Sequence, residues 1–237
     1  MGYGLRLRIG LIVPSSNTTM EPDFHRMAPE GVSVHTARMR LDEVTPDGLI
    51  RMADDAERGA ALLATAGVDI IVYGCTTGSL VGGVKWEESL VRSIHENTGA
   101  RAMSTSGAVV EALRALRARR VGVATPYTDV LNLLEAEFLE DHGFQVAAIE
   151  GLGLVDNLEI GRVERGVIEG LVEAVAEEAD TIFVSCTNLP ALDLIDGLER
   201  RHGRPVVTSN QASLWAALRD SGVKEMTGYG ELLRDRL

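Results

Sequence analysis

The sequence predicts an α/β fold built twice: two pseudo-symmetric, open, parallel-sheet domains of Rossmann-like type produced by an internal duplication. Three observations predict it. Segments recur in the same order in both halves, continuous aliphatic runs of strand length are separated by amphipathic stretches of helix length, and the two cysteines of the 237-residue chain fall at the same point of the repeat. Arg8-Ile9-Gly10-Leu11-Ile12-Val13-Pro14 returns 112 residues later as Arg120-Val121-Gly122-Val123-Ala124-Thr125-Pro126. Val68-Asp69-Ile70-Ile71-Val72-Tyr73-Gly74-Cys75-Thr76 returns 111 residues later as Ala179-Asp180-Thr181-Ile182-Phe183-Val184-Ser185-Cys186-Thr187. Arg101-Ala102-Met103-Ser104-Thr105-Ser106 matches Arg204-Pro205-Val206-Val207-Thr208-Ser209. One match is within reach of chance; three in one order mark a duplicated unit.

Along the chain, the runs 9–13, 68–73, 121–125 and 181–185 are continuous rather than alternating, which suits parallel strands covered on both faces. The segment 49–66 between the first two runs is amphipathic, and 101–106 leads into an apolar helical pattern at 109–116. In the second half the amphipathic stretches are 131–141 and 164–178, the latter with Val167, Ile168, Leu171, Val172 and Val175 on one stripe. The segment 204–209 leads into the pattern 214–218. Strands alternating with helices imply right-handed crossovers and a parallel sheet in each half. The expected boundaries are 1–118 for the first half and 119–209 for the second, with 210–237 returning to the first and a helix over 212–219 packed across it. The connection Arg117-Ala118-Arg119-Arg120 is short, so the halves are expected to pack closely.

Composition excludes several functions. Hydrophobic residues make up 45% and charged residues 24%, an ordinary globular balance. A formal charge of −12 leaves no excess of Lys and Arg to neutralise phosphates, so no nucleic-acid partner is expected. The apolar runs are strand-sized, so no membrane span is expected, and no apolar stretch of signal-peptide length follows Arg6 and Arg8. Gly2 is followed by Arg6 where a myristoylation signal has Ser or Thr. Two cysteines alone read as reduced thiols in a cytoplasmic protein.

Cofactor motifs are missing as well. Gly151-Leu152-Gly153 lacks the third glycine of a dinucleotide fingerprint, and Lys85 is followed by Trp86, not by the Ser or Thr of a phosphate-binding loop. His25, His35, His95, His142 and His202 are scattered without metal-ligand spacing. No G-x-S-x-G elbow occurs, and the only lysines, Lys85 and Lys224, do not end strands, which argues against a pyridoxal Schiff base. The chemistry is expected to need no cofactor and no metal.

The cysteines carry the functional reading. Ligands of open α/β sheets bind beyond the carboxyl ends of the strands, and Cys75 and Cys186 each end an aliphatic run. Thr76-Thr77-Gly78-Ser79 follows one and Thr187-Asn188 the other, so each sulfur is expected at a strand-to-helix turn, where free N–H groups and a helix dipole lower a thiol pKa. A lone free cysteine is most often a small buried hydrophobe; two at equivalent points of a duplicated unit point to catalysis. Neighbouring strand ends add Ser16 and Asn17 in the first loop and Tyr127 after the fifth strand. Asn157 lies in a polar loop able to reach the cleft. Helix capping is the ordinary role of such residues.

Over essentially its whole length the chain resembles the aspartate/glutamate racemase superfamily, and within it the maleate cis–trans isomerase and arylmalonate decarboxylase branch. The likeness rests on Val13-Pro14-Ser15-Ser16-Asn17, Gly74-Cys75-Thr76, Thr125-Pro126-Tyr127, Asp156-Asn157-Leu158-Glu159-Ile160-Gly161, Cys186-Thr187-Asn188-Leu189-Pro190 and Gly228-Tyr229-Gly230. The resemblance implies that decarboxylases lack the first cysteine and maleate isomerases carry both, so Cys75 favours the isomerase. It implies Cys75 as nucleophile and Cys186 as acid or base. Substrate would be bound by Asn17, Ser16, Thr76, Thr77, Tyr127, Asn157, Thr187 and Asn188. Thr76-Thr77-Gly78-Ser79 is more polar than the matching isomerase segment, and Cys186-Thr187-Asn188-Leu189-Pro190 resembles amino-acid racemases. A two-base amino-acid or hydantoin racemase, including a relative of the ectoine-utilisation branch, therefore stays open. So, less strongly, do a decarboxylase-like enzyme and a small-acid sensor that closes without turnover. The expected partner is a small carboxylic acid, and the resemblance carries the expectation of a homodimer.

Overall fold

The computed structural model describes residues 3–219, 221–223 and 226–237; Gly2 and Lys224, both used in the sequence reading, lie outside the described residues. The first half runs β1 (Leu7–Pro14), α1 (Met20–Met27), β2 (Val32–Met39), α2 (Pro46–Ala53), α3 (Ala56–Thr65), β3 (Ile70–Tyr73), α4 (Thr76–Leu80), α5 (Val84–Thr98), β4 (Arg101–Ser104) and α6 (Thr105–Ala115). The second runs β5 (Arg120–Thr125), α7 (Asp129–Asp141), β6 (Gln145–Gly151), α8 (Asn157–Ile160), α9 (Arg165–Ala176) and β7 (Thr181–Val184). It continues through a 3-10 turn (Leu192–Leu194), α10 (Ile195–His202), β8 (Val206–Thr208), α11 (Ser209–Arg219) and α12 (Gly230–Asp235).

Two four-stranded sheets result, in the orders β2-β1-β3-β4 and β6-β5-β7-β8, parallel throughout. This is the predicted duplicated α/β fold. All four residues of β3 and of β7 are buried, as a strand covered by helices on both faces must be. The duplication extends to a backbone anchor: Arg8 N donates to Asp69 Oδ2 at 2.7 Å, and Arg120 N donates to Asp180 Oδ2 at 3.0 Å. In each half, the aspartate just before the third strand thus holds the start of the first.

The amphipathic stretch 49–66 does not form one helix. It is divided between α2 and α3, because the Asp55 carboxylate accepts from Arg40 N at 3.1 Å and the chain turns there. Thr45 caps α2 by accepting from Gly48 N, with Pro46 at its first turn. The halves are joined at Arg117, whose φ of 61° marks a tight reversal between α6 and β5. Helix α11 lies against α6 and α1 of the first half, and its residues from Ser209 to Leu218 are all buried. Asn210 Nδ2 donates to Asp23 Oδ2 at 2.8 Å and Ser213 Oγ donates to Thr105 Oγ1 at 3.2 Å, while Asn210 Oδ1 is left without a partner. Among the described residues, no helix is long and apolar enough to cross a membrane.

Candidate active site

With strand order 2-1-3-4, the chain leaves β1 toward one side of the sheet and β3 toward the other, so the carboxyl ends of these two strands flank a crevice. The loop holding Asn17 follows β1 and Cys75 follows β3; Tyr127 follows β5 and Cys186 follows β7. The duplication thus delivers one thiol from each half to equivalent positions.

The segments around the thiols are joined through side-chain hydroxyls. Thr187 Oγ1 donates to Gly74 O at 3.2 Å. On the other side, Ser209 Oγ accepts from Thr76 Oγ1 at 2.9 Å and from Cys186 N at 3.1 Å. Each cysteine therefore has a neighbour bonded to the other's surroundings, and Cys186 is close enough for its charge to raise the pKa of Cys75. The two are free thiols, 5% and 8% exposed.

Their local settings differ. Cys75 is the N-cap of α4, and its Sγ accepts from Gly78 N at 3.4 Å. A Cβ on Gly78 would lie 3.0 Å from that sulfur and 3.1 Å from the Tyr73 hydroxyl, so only glycine lets the amide approach. Cys186 precedes a turn, not a helix, which corrects the expectation of a strand-to-helix junction there. Its φ of 100° is strained for a residue with a side chain, and this backbone lets Asn188 N donate to its own Sγ at 3.3 Å. The Tyr127 hydroxyl completes the shell of Cys186.

The expected lowering of the thiol pKa is overturned. Burial pushes Cys75 up to about 12 and Cys186 up to about 11, although the Gly78 amide and Thr77 pull the first down and Tyr127 and the Asn188 and Leu189 amides the second. Taking a thiolate out of water costs more than a few donors return, and the five-residue α4 supplies only a small dipole. In the closed cleft both thiols are neutral near pH 7.

The remaining candidates form a clasp between the halves. Asn17 Oδ1 accepts from Thr19 N and Met20 N, and its Nδ2 donates to Thr187 Oγ1 at 2.9 Å, leaving one amide hydrogen. Asn157 Nδ2 donates to Ser16 Oγ at 2.9 Å. Asn188 is engaged at both ends of its amide, with Oδ1 accepting from Thr18 N and Nδ2 donating to Asn157 O at 2.6 Å. Asn17, Thr76, Thr77, Tyr127, Asn157, Thr187 and Asn188 are all buried, and Ser16 is half-buried.

The site also holds groups that no sequence motif singles out. Arg38 Nη1 donates to the carbonyls of Ser15 and Asn17 and Nη2 pairs with Glu21, so a cation backs the first loop. Asp23 and Glu135 are buried carboxyls, pushed up by burial to about 6 and about 7. Both sit on apolar stripes, Asp23 with Met20, Phe24 and Met27, Glu135 with Leu131, Phe138 and Leu139. A carboxyl at such a position is the signal that would have found them. Among the described residues, no group of three or more His, Cys, Asp and Glu side chains is arranged to hold a metal ion.

Comparison with known proteins fits this geometry. The model of the arylmalonate decarboxylase family matches residues 9–233. A maleate isomerase of Nocardia farcinica is 34% identical over 98% of this chain and 96% of its own length. An arylmalonate decarboxylase of Bordetella bronchiseptica is 33% identical over 94% and 95%. Among solved structures, a Cys-to-Ser mutant of the Nocardia farcinica maleate cis–trans isomerase with a covalently bound succinylcysteine intermediate superposes with a TM-score of 0.92. It is 32% identical, covering 96% of this chain and 98% of that one.

Proposed function

The chain belongs to the arylmalonate decarboxylase family, and from that membership we propose that it is a cofactor-independent isomerase that converts maleate to fumarate through a covalent bond to Cys75. The observation that carries this reading is the second thiol. Cys75 stands opposite Cys186 across one buried clasp, and the resemblance associates a thiol at that place with the isomerase side of the family. The succinylcysteine reported for the Nocardia farcinica relative supports it.

The two thiols work with one proton between them. Cys75 gives its proton to water that enters with the substrate and, as thiolate, forms a C–S bond to one alkene carbon of maleate. The electron pair of the double bond moves to the neighbouring carbon, which takes the proton of Cys186. A succinyl thioether stands on Cys75 and a thiolate on Cys186. The former double bond is now single and rotates. Cys186 then removes a proton, the double bond re-forms, the C–S bond breaks, and fumarate leaves with Cys75 again a thiolate. Asn17 and Asn157 hold the carboxylates with their remaining amide hydrogens, Tyr127 with Thr77 stabilises the enolate-like charge, and Thr76 holds the loop after Cys75 through Ser209. Ser16, Thr187 and Asn188 keep the asparagines in place. Water entering with substrate relieves the burial that keeps the thiols neutral.

A two-base racemase is the second reading, favoured by the near-symmetry of the thiols. There one cysteine takes a proton from one face of an acidic carbon and the other returns one to the opposite face. Proton NMR in deuterated water with maleate, aspartate, glutamate, a hydantoin and an aryl-methylmalonate tests both. Isomerisation of maleate supports the first; exchange or inversion at an amino acid or hydantoin without it supports the second. Unpaired thiols suit a reducing compartment, and we assign the protein to the cytoplasm.

A further inference from the structure

The residue before Cys186 leads to a group that the reaction above does not use. Ser185 Oγ donates to Glu135 Oε1 at 2.6 Å, while Glu135 Oε2 has no hydrogen-bond partner. Glu135 is 1% exposed, and a small cavity beside it is lined by Thr76, Leu80, Ser106, Val109, Phe138 and Phe183. None of these is ionisable, so α4, α6 and β7 offer its carboxylate no cation. The titratable groups that feel its charge are Tyr127 and Cys186.

We propose that Glu135 is a positioning residue for the Cys186 thiol: neutral, it holds Ser185 and the turn that carries Cys186; ionised, it suppresses thiolate formation there. The proposal rests on the two-thiol reading. The physical reason is uncompensated charge. A carboxylate, a thiolate and a dianionic substrate have no cation among the cavity's lining to balance them, so the site works while Glu135 keeps its proton. Burial pushes that carboxyl up to about 7, which puts the change of state near neutral pH, and the Ser185 hydrogen bond favours the ionised form. Cys186 is in turn raised by the Glu135 charge.

The experiment measures the rate of Cys186 alkylation by iodoacetamide against pH in the native chain, E135Q and S185A, with the modified residue identified by peptide mass spectrometry. In the native chain the logarithm of the rate rises with pH, as thiolate does, but flattens near pH 7 and continues above it on a parallel line about one logarithmic unit lower, a step. E135Q removes the step, and above it Cys186 reacts about tenfold faster than in the native chain, the equivalent of one pKa unit. S185A removes a bond that favours the carboxylate, so its step moves to higher pH. Should E135Q fail to fold, S185A alone decides. A native profile without a step, or a step that persists in E135Q or stays in place in S185A, overturns the proposal. Alkylation needs no substrate, so failure to isomerise maleate sinks the proposed reaction and leaves this measurement standing.

Discussion

Thr187 Oγ1 donates to the carbonyl of Gly74 at 3.2 Å, so the residue after one cysteine is bonded to the residue before the other. The same hydroxyl accepts from Asn17 Nδ2 at 2.9 Å. One threonine therefore sets the spacing of the thiols and the aim of an amide meant for a carboxylate. Thr187→Val keeps the shape and removes the hydroxyl, leaving Asn17 and Gly74 without a partner inside a buried site. The expected cost is about 1–3 kcal/mol. Much of it should appear as a KM for maleate raised roughly tenfold, while Thr187→Ser stays near native. Steady-state kinetics of the two variants checks this.

Two buried carboxyls give the stability a definite pH dependence. Burial raises Asp23 from the ordinary value to about 6 and Glu135 to about 7. Unfolded, both ionise near pH 4; folded, both keep their protons longer. The stability they contribute is complete below about pH 4 and is lost as pH rises through 6 and 7, at most about 3 kcal/mol for each. Urea midpoints should fall between pH 5 and pH 8, and Glu135→Gln should remove part of that fall. A midpoint that rises over this interval contradicts the assignment.

The paired anchors make a prediction about the duplication itself. Asp69 accepts from Arg8 N, and Asp180 from Arg119 N and Arg120 N. Replacing Asp69 by Ala frees one backbone donor at the base of a central strand, and replacing Asp180 frees two. Asp69→Ala should lose about 1 kcal/mol and Asp180→Ala about twice that, and kcat should be unchanged in both because the aspartates lie at the strand ends remote from the thiols. Denaturation and activity of the two variants check it.

The parts of the molecule legible in the sequence were those with a periodic or repeated signal. The buried runs that became β1, β3, β5 and β7 are continuous because each lies inside a sheet. The edge strands β2 and β6 carried no such run; most of their residues are half-buried, and Val32–Met39 mixes Ser, His, Thr and Arg among its apolar residues. The helix break at Asp54 and Asp55 depended on a distant amide, Arg40 N, that no local pattern reveals. At the site, the duplication makes the cysteines legible, but not their ionisation, which burial sets. Local donors can be inferred from a turn, whereas burial by both halves belongs to the assembled fold. Arg38 behind Asn17 escaped notice for the same reason: the contact joins β2 to the loop after β1.

The central claim is that Cys75 bonds to the substrate while Cys186 handles the proton. Cys186→Ala leaves the nucleophile and removes the group that collapses the intermediate; the proton that completes the thioether then comes, more slowly, from water. Incubated with maleate, it should gain mass equal to one molecule of maleic acid, and peptide mapping should place that gain on Cys75, with turnover reduced about a thousandfold or more. Cys75→Ala should show neither gain nor turnover. An unmodified Cys75 in the Cys186→Ala chain, together with a native chain that isomerises maleate, would contradict covalent catalysis at this residue.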